Sequence, residues 1–292
     1  MQRIKLENKA WQWATLFIIS IIWGTSFILM KRGLESYNHM QVAALRIFIS
    51  FVFLLPLSIR HLKVLKKDNI LSLIIVGCLG FAIPALLFAK AQTRIDSSLA
   101  GMMNSLTPLC TLVVGLLLYR TSTKWINVTG LLIGLLGTLG LIWKGDFELF
   151  REINIFSLFV VAATLCYGIN VNEVKYKLEK LSSVQITSLA FLFTGPIAGI
   201  YLLFTDFSPA AETPNHLINL GYIVLLALFS SVIAVLLFNH LIKYTTPLFA
   251  ASVTYIIPFV AILWGIADGE QIGILQFLWI GVILTGVYLV NK

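Results

Sequence analysis

The chain has 292 residues, of which 59% are hydrophobic and only 12% charged, with a formal net charge of +8. A soluble globular chain carries roughly 45–50% apolar and about 25% charged residues, so no single water-soluble core hides this much apolar surface, and soluble function classes are set aside. The positive balance does not point to nucleic acid, because Lys and Arg stand in the breaks between apolar stretches, where membrane topology places them.

A spanning helix needs about 20 mostly apolar residues, and windows of that length predict ten of them in chain order. The first, 13–32, follows the basic start Arg3, Lys5 and Lys9 as a signal peptide would, but it is long and lacks a small-x-small cleavage site. It is therefore read as a span. The second, 40–59, carries Arg46 about six residues in; the third, 70–90, carries Phe81 and Pro84; the fourth, 97–118, carries Asn104 and Pro108. The fifth, 125–143, has Gly130, Gly134 and Gly137 at near-helical spacing, and the sixth, 154–173, holds Tyr167 and Asn170 and ends on Glu173. The seventh, 184–204, contains Pro196 and precedes the longest polar connection, Thr205 to Leu217. The eighth, 218–241, ends near Asn239 and His240; the ninth, 247–267, holds Tyr255 and Pro258; the tenth, 271–290, holds Gly281 and Gly286. Glycines at such spacing let helices approach closely. Cys78, Cys110 and Cys166 lie inside apolar stretches without CxxC or Cys/His spacing, and read as small buried hydrophobes rather than metal ligands or disulfides. The expected fold class is all-α integral membrane, with ten transmembrane helices.

Ten spans put both termini on one side. Fourteen Lys and Arg residues then flank that side, among them Lys9, Arg60, Lys66, Lys67, Lys175 and Lys243, against six on the other, Lys31, Arg32, Lys90, Arg94, Lys144 and Arg151. The acids Asp146, Glu148, Glu152, Asp206, Glu212, Asp268 and Glu270 fall opposite the termini. The positive-inside rule places both termini in the cytoplasm.

Two internal echoes divide the chain. Trp23-Gly24 followed by Lys31 recurs as Tyr167-Gly168 followed by Lys175, an offset of 144, and Ala100-Gly101 with Pro108 recurs as Ala250-Ala251 with Pro258, an offset of 150. This predicts repeats over 1–146 and 147–292 with five spans each. Because five is odd, the second copy enters the membrane from the opposite face, the arrangement of alternating access around a midplane site.

The run Ile22-Trp23-Gly24-Thr25-Ser26-Phe27, Leu45-Arg46, Leu106-Thr107-Pro108-Leu109, and Pro258 leading to Gly269-Glu270 resemble the drug/metabolite transporter superfamily, in its EamA-type branch. The resemblance covers essentially the whole chain. It implies a ten-helix inner-membrane carrier built of two EamA repeats, often exporting amino acids or related metabolites, in a family whose members also handle nucleosides, nucleotide sugars and drugs. One departure is Arg120, which stands where the first half typically carries the Glu seen as Glu270 in the second.

An ionisable group in lipid costs about 2.5–3.5 kcal/mol on insertion scales, so each one is a candidate pathway residue. Arg46 reads either as a brace between helices or as the receptor of a substrate carboxylate. No Asp or Glu falls mid-span, which predicts a facilitator running down a metabolite gradient, or coupling by an unobvious route; Glu173 and His240 are the nearest candidates for proton coupling. Asn104, Asn170, Gln92 and Asn239 are polar at depth, as cavity lining or as glue between helices. Trp23, Phe81, Tyr167, Phe238 and Tyr255 supply aromatic walls, with Trp23 and Tyr167 the preferred pair, whereas Trp11, Trp13 and Trp125 sit at span ends as interface anchors. The candidate substrate-binding set is thus Trp23, Arg46, Phe81, Asn104, Tyr167, Asn170 and Tyr255, with helix breaks at Pro108 and Pro258.

There is no Walker motif, HExxH or Ser/His/Asp order, so ATP drive, catalysis, metal and cofactor are not expected. The expected partners are a small-molecule substrate and the lipid bilayer. A drug or nucleotide-type metabolite is the alternative substrate; buried acids, which a cationic drug would favour, are scarce.

Overall fold

Residues 8–142, 154–267 and 274–292 are described by the structure, a computed structural model. Among them every regular element is a helix. In chain order the apolar helices are α1 Lys9–Leu34, α2 His39–Val64, α3 Lys67–Ala91, α4 Leu99–Leu118, α5 Trp125–Gly140, α6 Ser157–Tyr176, α7 Ser183–Leu203, α8 His216–Tyr244, α9 Pro247–Val260 and α10 Phe277–Val290. Seven are long and apolar enough to cross a membrane; α5, α9 and α10 are shorter. Besides an apolar core, many large apolar side chains face outward, Leu117, Leu203 and Phe204 among them, while polar Ser50, Thr138 and Asn239 are buried. That distribution suits lipid, which solvates apolar side chains and leaves polar ones to find partners inside, and the chain is a multi-pass membrane protein. Arg3, Lys5, Trp143, Lys144, Asp146, Glu148, Arg151, Glu152, Asp268, Gly269 and Glu270, with the expected division at 146/147, lie outside the described residues.

Local chemistry sets the helix starts. Asn38 caps α2 and Ser182 caps α7, each in a reciprocal capping box with the Gln three residues on, Gln41 and Gln185. The two boxes stand 144 residues apart. Irregular turns also recur. A π-turn at Val76–Ala82 widens α3, and another at Leu226–Ile233 widens α8, 150 residues later. In α3 the cause is Pro84, which has no N–H to offer and whose ring crowds the carbonyl four residues back; Ile83 N–H reaches Cys78 O instead. In α8 the freed carbonyls are taken by side chains, Ser230 O by the Trp23 indole (3.1 Å) and Ala227 O by Ser50 Oγ (3.2 Å).

The expected breaks at Pro108 and Pro258 fall elsewhere. α4 is interrupted at Asn104–Leu106 by a tight turn, and Pro108 sits in the first turn of the helix that restarts at Thr107, where a missing N–H leaves nothing unpaired. In α9 the interruption is at Ser252, and Pro258 lies inside Val253–Ala267. The two breaks meet, with Ser105 Oγ donating to Thr254 O at 3.1 Å.

α2 packs along α7 and α5 along α10, while α1 lies against α8 and α9, and α6 against α3 and α4. Two glycines admit the last contacts: a Cβ on Gly24 would meet Val260 at 2.7 Å, and one on Gly168 would meet the Cys110 backbone at 2.9 Å. Gly130 and Gly137 bring α5 onto α10, but Gly281, also expected to admit close packing, has nothing within 4 Å among the described residues.

Candidate functional site

On α1, Ser20, Trp23, Phe27 and Met30 recur every three or four residues and so form one inward stripe. Trp23, Phe27 and Met30 of this stripe, with α2, the π-turns of α3 and α8, the break of α4, and parts of α6 and α9, line an open cavity.

Arg46 reaches it from α2. Its Nε donates to Ser231 Oγ at 2.6 Å and its Nη2 to Ser230 Oγ at 3.1 Å. Successive side chains of an α-helix point about 100° apart, and the wider π-turn is what lets two neighbouring serines serve one guanidinium. No Asp or Glu lines the cavity among the described residues. Arg46 therefore brings a positive charge met only by neutral hydroxyls.

The walls are aromatic. Trp23 meets Phe238 edge-on at 4.9 Å, Phe88 lies nearly parallel to Tyr167 at 6.1 Å, and Phe81 stacks on Phe191 at 4.5 Å. Polar side chains stand between the rings, and several are bonded to neighbours. Asn104 Oδ1 accepts from Thr107 Oγ1 at 3.1 Å, and the Asn239 amide donates to Thr187 Oγ1 of α7 at 2.9 Å. Asn170 is 4% exposed, and its Oδ1 is buried without a hydrogen-bond partner.

Trp23, Arg46, Phe81, Asn104, Tyr167 and Asn170 thus converge on one cavity. Tyr255 does not join them: its hydroxyl donates to Leu131 O at 2.9 Å and its ring fills the slot left by Gly134. The break at Ser252 turns the register of α9 so that Ala251 and Thr254 face the cavity and Tyr255 faces α5. Glu173 and His240 also lie away from it. Glu173 accepts a short hydrogen bond from Tyr119 Oη, and His240 packs its ring on Tyr244 at 4.8 Å. Burial raises the Tyr119 phenol above its usual pKa and the neighbouring carboxylate raises it further, so the hydroxyl stays a donor.

Lys175, counted from sequence among the basic residues on the terminus side, caps the end of α8 by donating to the carbonyls of Ile242 and Lys243. Lys31 pairs with Asp96 at 3.0 Å on the surface. Gln92 is held by Phe27 O and Ser97 Oγ. Ser26, Phe88, Thr107, Ser230, Ser231 and Thr254 line the cavity without having been singled out from sequence. Ser230-Ser231 could have been noticed, being a polar pair in the middle of an otherwise apolar run.

Residues 11–143 and 154–292 each match the EamA-like transporter family. The chain is 26% identical to the inner membrane transporter YedA of Escherichia coli K12, over 94% of this chain and 89% of the relative. It is 24% identical to an S-adenosylmethionine/S-adenosylhomocysteine transporter of Chlamydia trachomatis serovar L2, over 86% and 79% of the two chains. A transporter of Archaeoglobus fulgidus is 23% identical over 96% and 99%. A protein of known crystal structure superimposes with a TM-score of 0.72, covering 97% of this chain and 96% of its own, at 14% identity, a likeness of fold.

Proposed function

This chain belongs to the EamA-like transporter family, and from that premise we propose that it is a secondary transporter exporting small carboxylate-bearing metabolites, amino acids first among them, across the inner membrane. The observation that carries the substrate class is Arg46, a guanidinium open to the cavity, held by Ser230 and Ser231 and facing no acid among the described lining residues. A carboxylate completes that pairing with charge-assisted hydrogen bonds. A cationic drug finds no acid to pair with among the described lining residues. Trp23, Phe81, Asn104, Tyr167 and Asn170 complete the proposed site. The Chlamydia relative is named for a substrate with an amino-acid head on a nucleoside, which favours nucleoside-linked amino acids as the second substrate type.

In this reading ten spans form two inverted repeats, 1–146 and 147–292, and alternate access between them, with both termini in the cytoplasm. Support comes from the family matching twice and from features that recur at offsets of 144 and 150: the capping boxes, the π-turns and the glycine contacts of Gly24 and Gly168. The carrier is uncoupled, because Glu173 and His240 lie outside the cavity lining.

The test is uptake of labelled amino acids into proteoliposomes with and without a pH gradient, for the wild type and Arg46→Ala. Saturable flux unaffected by the gradient and reduced at least about tenfold in the variant is expected, since a hydrogen bond to a charged group contributes about 1.5–3 kcal/mol. Flux that requires the gradient overturns the uncoupled reading; undiminished flux in Arg46→Ala overturns the carboxylate site.

A further inference from the structure

Buried polar atoms are partnered in nine cases or more out of ten, and an orphaned one costs about 1–3 kcal/mol. In the cavity the exception is Asn170 Oδ1. The other amides nearby each make at least one bond: Asn104 Oδ1 takes the Thr107 hydroxyl, Asn239 donates to Thr187, and Asn172 donates to Thr111 O and Gly168 O.

The orphan is positioned by the fold. Asn170 stands three residues after Tyr167 on the same face of α6, and its oxygen lies against the π-turn of α3 at Gly80, where a Cβ would come within 2.5 Å of it. Only glycine leaves room for the amide there. A half-turn of the amide exchanges Oδ1 and Nδ2, so the oxygen reaches the cavity without movement of α6.

We infer that Asn170 recognises the ammonium group of the substrate, so that the cavity reads an α-amino acid at two points, carboxylate at Arg46 and ammonium at Asn170. An amide oxygen accepts and an ammonium only donates, and with no carboxylate among the described lining residues the ammonium must be met by neutral acceptors. The rest of the ligand then lies among Trp23, Phe27, Phe88 and Phe238, which suits large apolar side chains. This inference rests on the carboxylate reading of Arg46 and adds the discrimination between an amino acid and the same acid without its amine.

Calorimetric titration of the purified full chain tests it with three matched pairs: L-leucine and 4-methylpentanoate, L-methionine and 4-(methylsulfanyl)butanoate, L-phenylalanine and 3-phenylpropanoate. The wild type is expected to bind at least one amino acid about tenfold or more tighter than its amine-free counterpart, a difference of about 1.4 kcal/mol. In Asn170→Ala that gap closes to about twofold or less while the counterpart keeps its affinity. A gap that persists in Asn170→Ala, or equal loss for both members of a pair, overturns the inference. Should Asn170→Ala fail to fold, Asn170→Asp carries the test: it keeps an acceptor, so the amino acid stays bound while the counterpart weakens, and equal weakening overturns the inference. Equal wild-type affinity within every pair sinks the ammonium site and leaves the carboxylate site standing. No binding of any of the six compounds sinks the proposed function as well.

Discussion

A guanidinium at the depth of Arg46 is tolerated only when its donors are used, and here Ser230 and Ser231 use two of them. Replacing both serines with alanine leaves that charge short of acceptors, at a cost of about 1–3 kcal/mol. The double variant is expected to melt below the wild type in detergent, and an added carboxylate ligand to raise its melting temperature by more than it raises the wild type's. An unchanged melting temperature shows that the hydroxyls are not what holds the charge. Tyr119 and Glu173 pose the same question outside the cavity. Tyr119→Phe removes a donor from a carboxylate that is 5% exposed, and should lower the melting temperature while leaving substrate affinity within about twofold, since a hydrogen bond to a charged group contributes about 1.5–3 kcal/mol to stability and this one touches no cavity wall. A matched loss of affinity would instead tie Glu173 to transport.

At the scale of elements, irregularity is where the cavity is built. Two π-turns and two helix breaks contribute Gly80, Phe81, Ser230, Ser231, Asn104 and Thr254 to its wall. Regular helices would bury their carbonyls in their own ladders, whereas these turns expose carbonyls that side chains such as Trp23 and Ser50 can grip. The α5–α10 seam depends instead on the absence of side chains. A Cβ on Gly286 would lie 2.4 Å from Gly134 N, and one on Gly281 meets nothing within 4 Å. Gly286→Ala should therefore destabilise by about 1–3 kcal/mol through forced overpacking, and Gly281→Ala should be neutral or slightly stabilising. Equal melting temperatures for the two variants would show that the helices can separate freely.

At the scale of the molecule, the helices pair across the proposed halves: α2 with α7, α5 with α10, α1 with α9 and α6 with α4. Such exchange makes each half incomplete alone, and under the alternating access proposed above a rigid-body rocking of one half would re-form the cavity on the other side. The inverted arrangement proposed above predicts Lys66 and Lys292 on one face of the membrane and Glu212 on the opposite one. Membrane-impermeant maleimide applied to intact cells should spare Lys66→Cys and Lys292→Cys and label Glu212→Cys. Labelling of all three from one side would rule out the inverted arrangement.

Composition and the length of the apolar windows determined the class of this protein, because lipid demands long apolar helices wherever the chain crosses it, and the windows found every apolar helix that the structure describes. Polar or aromatic type at mid-helix depth picked out six of the cavity's lining residues, since such side chains have few other places to go. Register and partner choice were decided by tertiary structure. Tyr255 belongs by type with Trp23 and Tyr167, yet the break at Ser252 sends it to Leu131 O. Pro108 and Pro258 mark the matched helices, but the breaks lie upstream of them: Pro108 sits in a first turn, where proline leaves no bond unmade, and Pro258 lies inside its helix, where the carbonyl it frees, Thr254 O, takes the Ser105 hydroxyl. The serines that meet Arg46 lie 184 and 185 residues away along the chain. Apolar periodicity records which face of a helix turns inward; which other helix it meets there depends on packing between all of them.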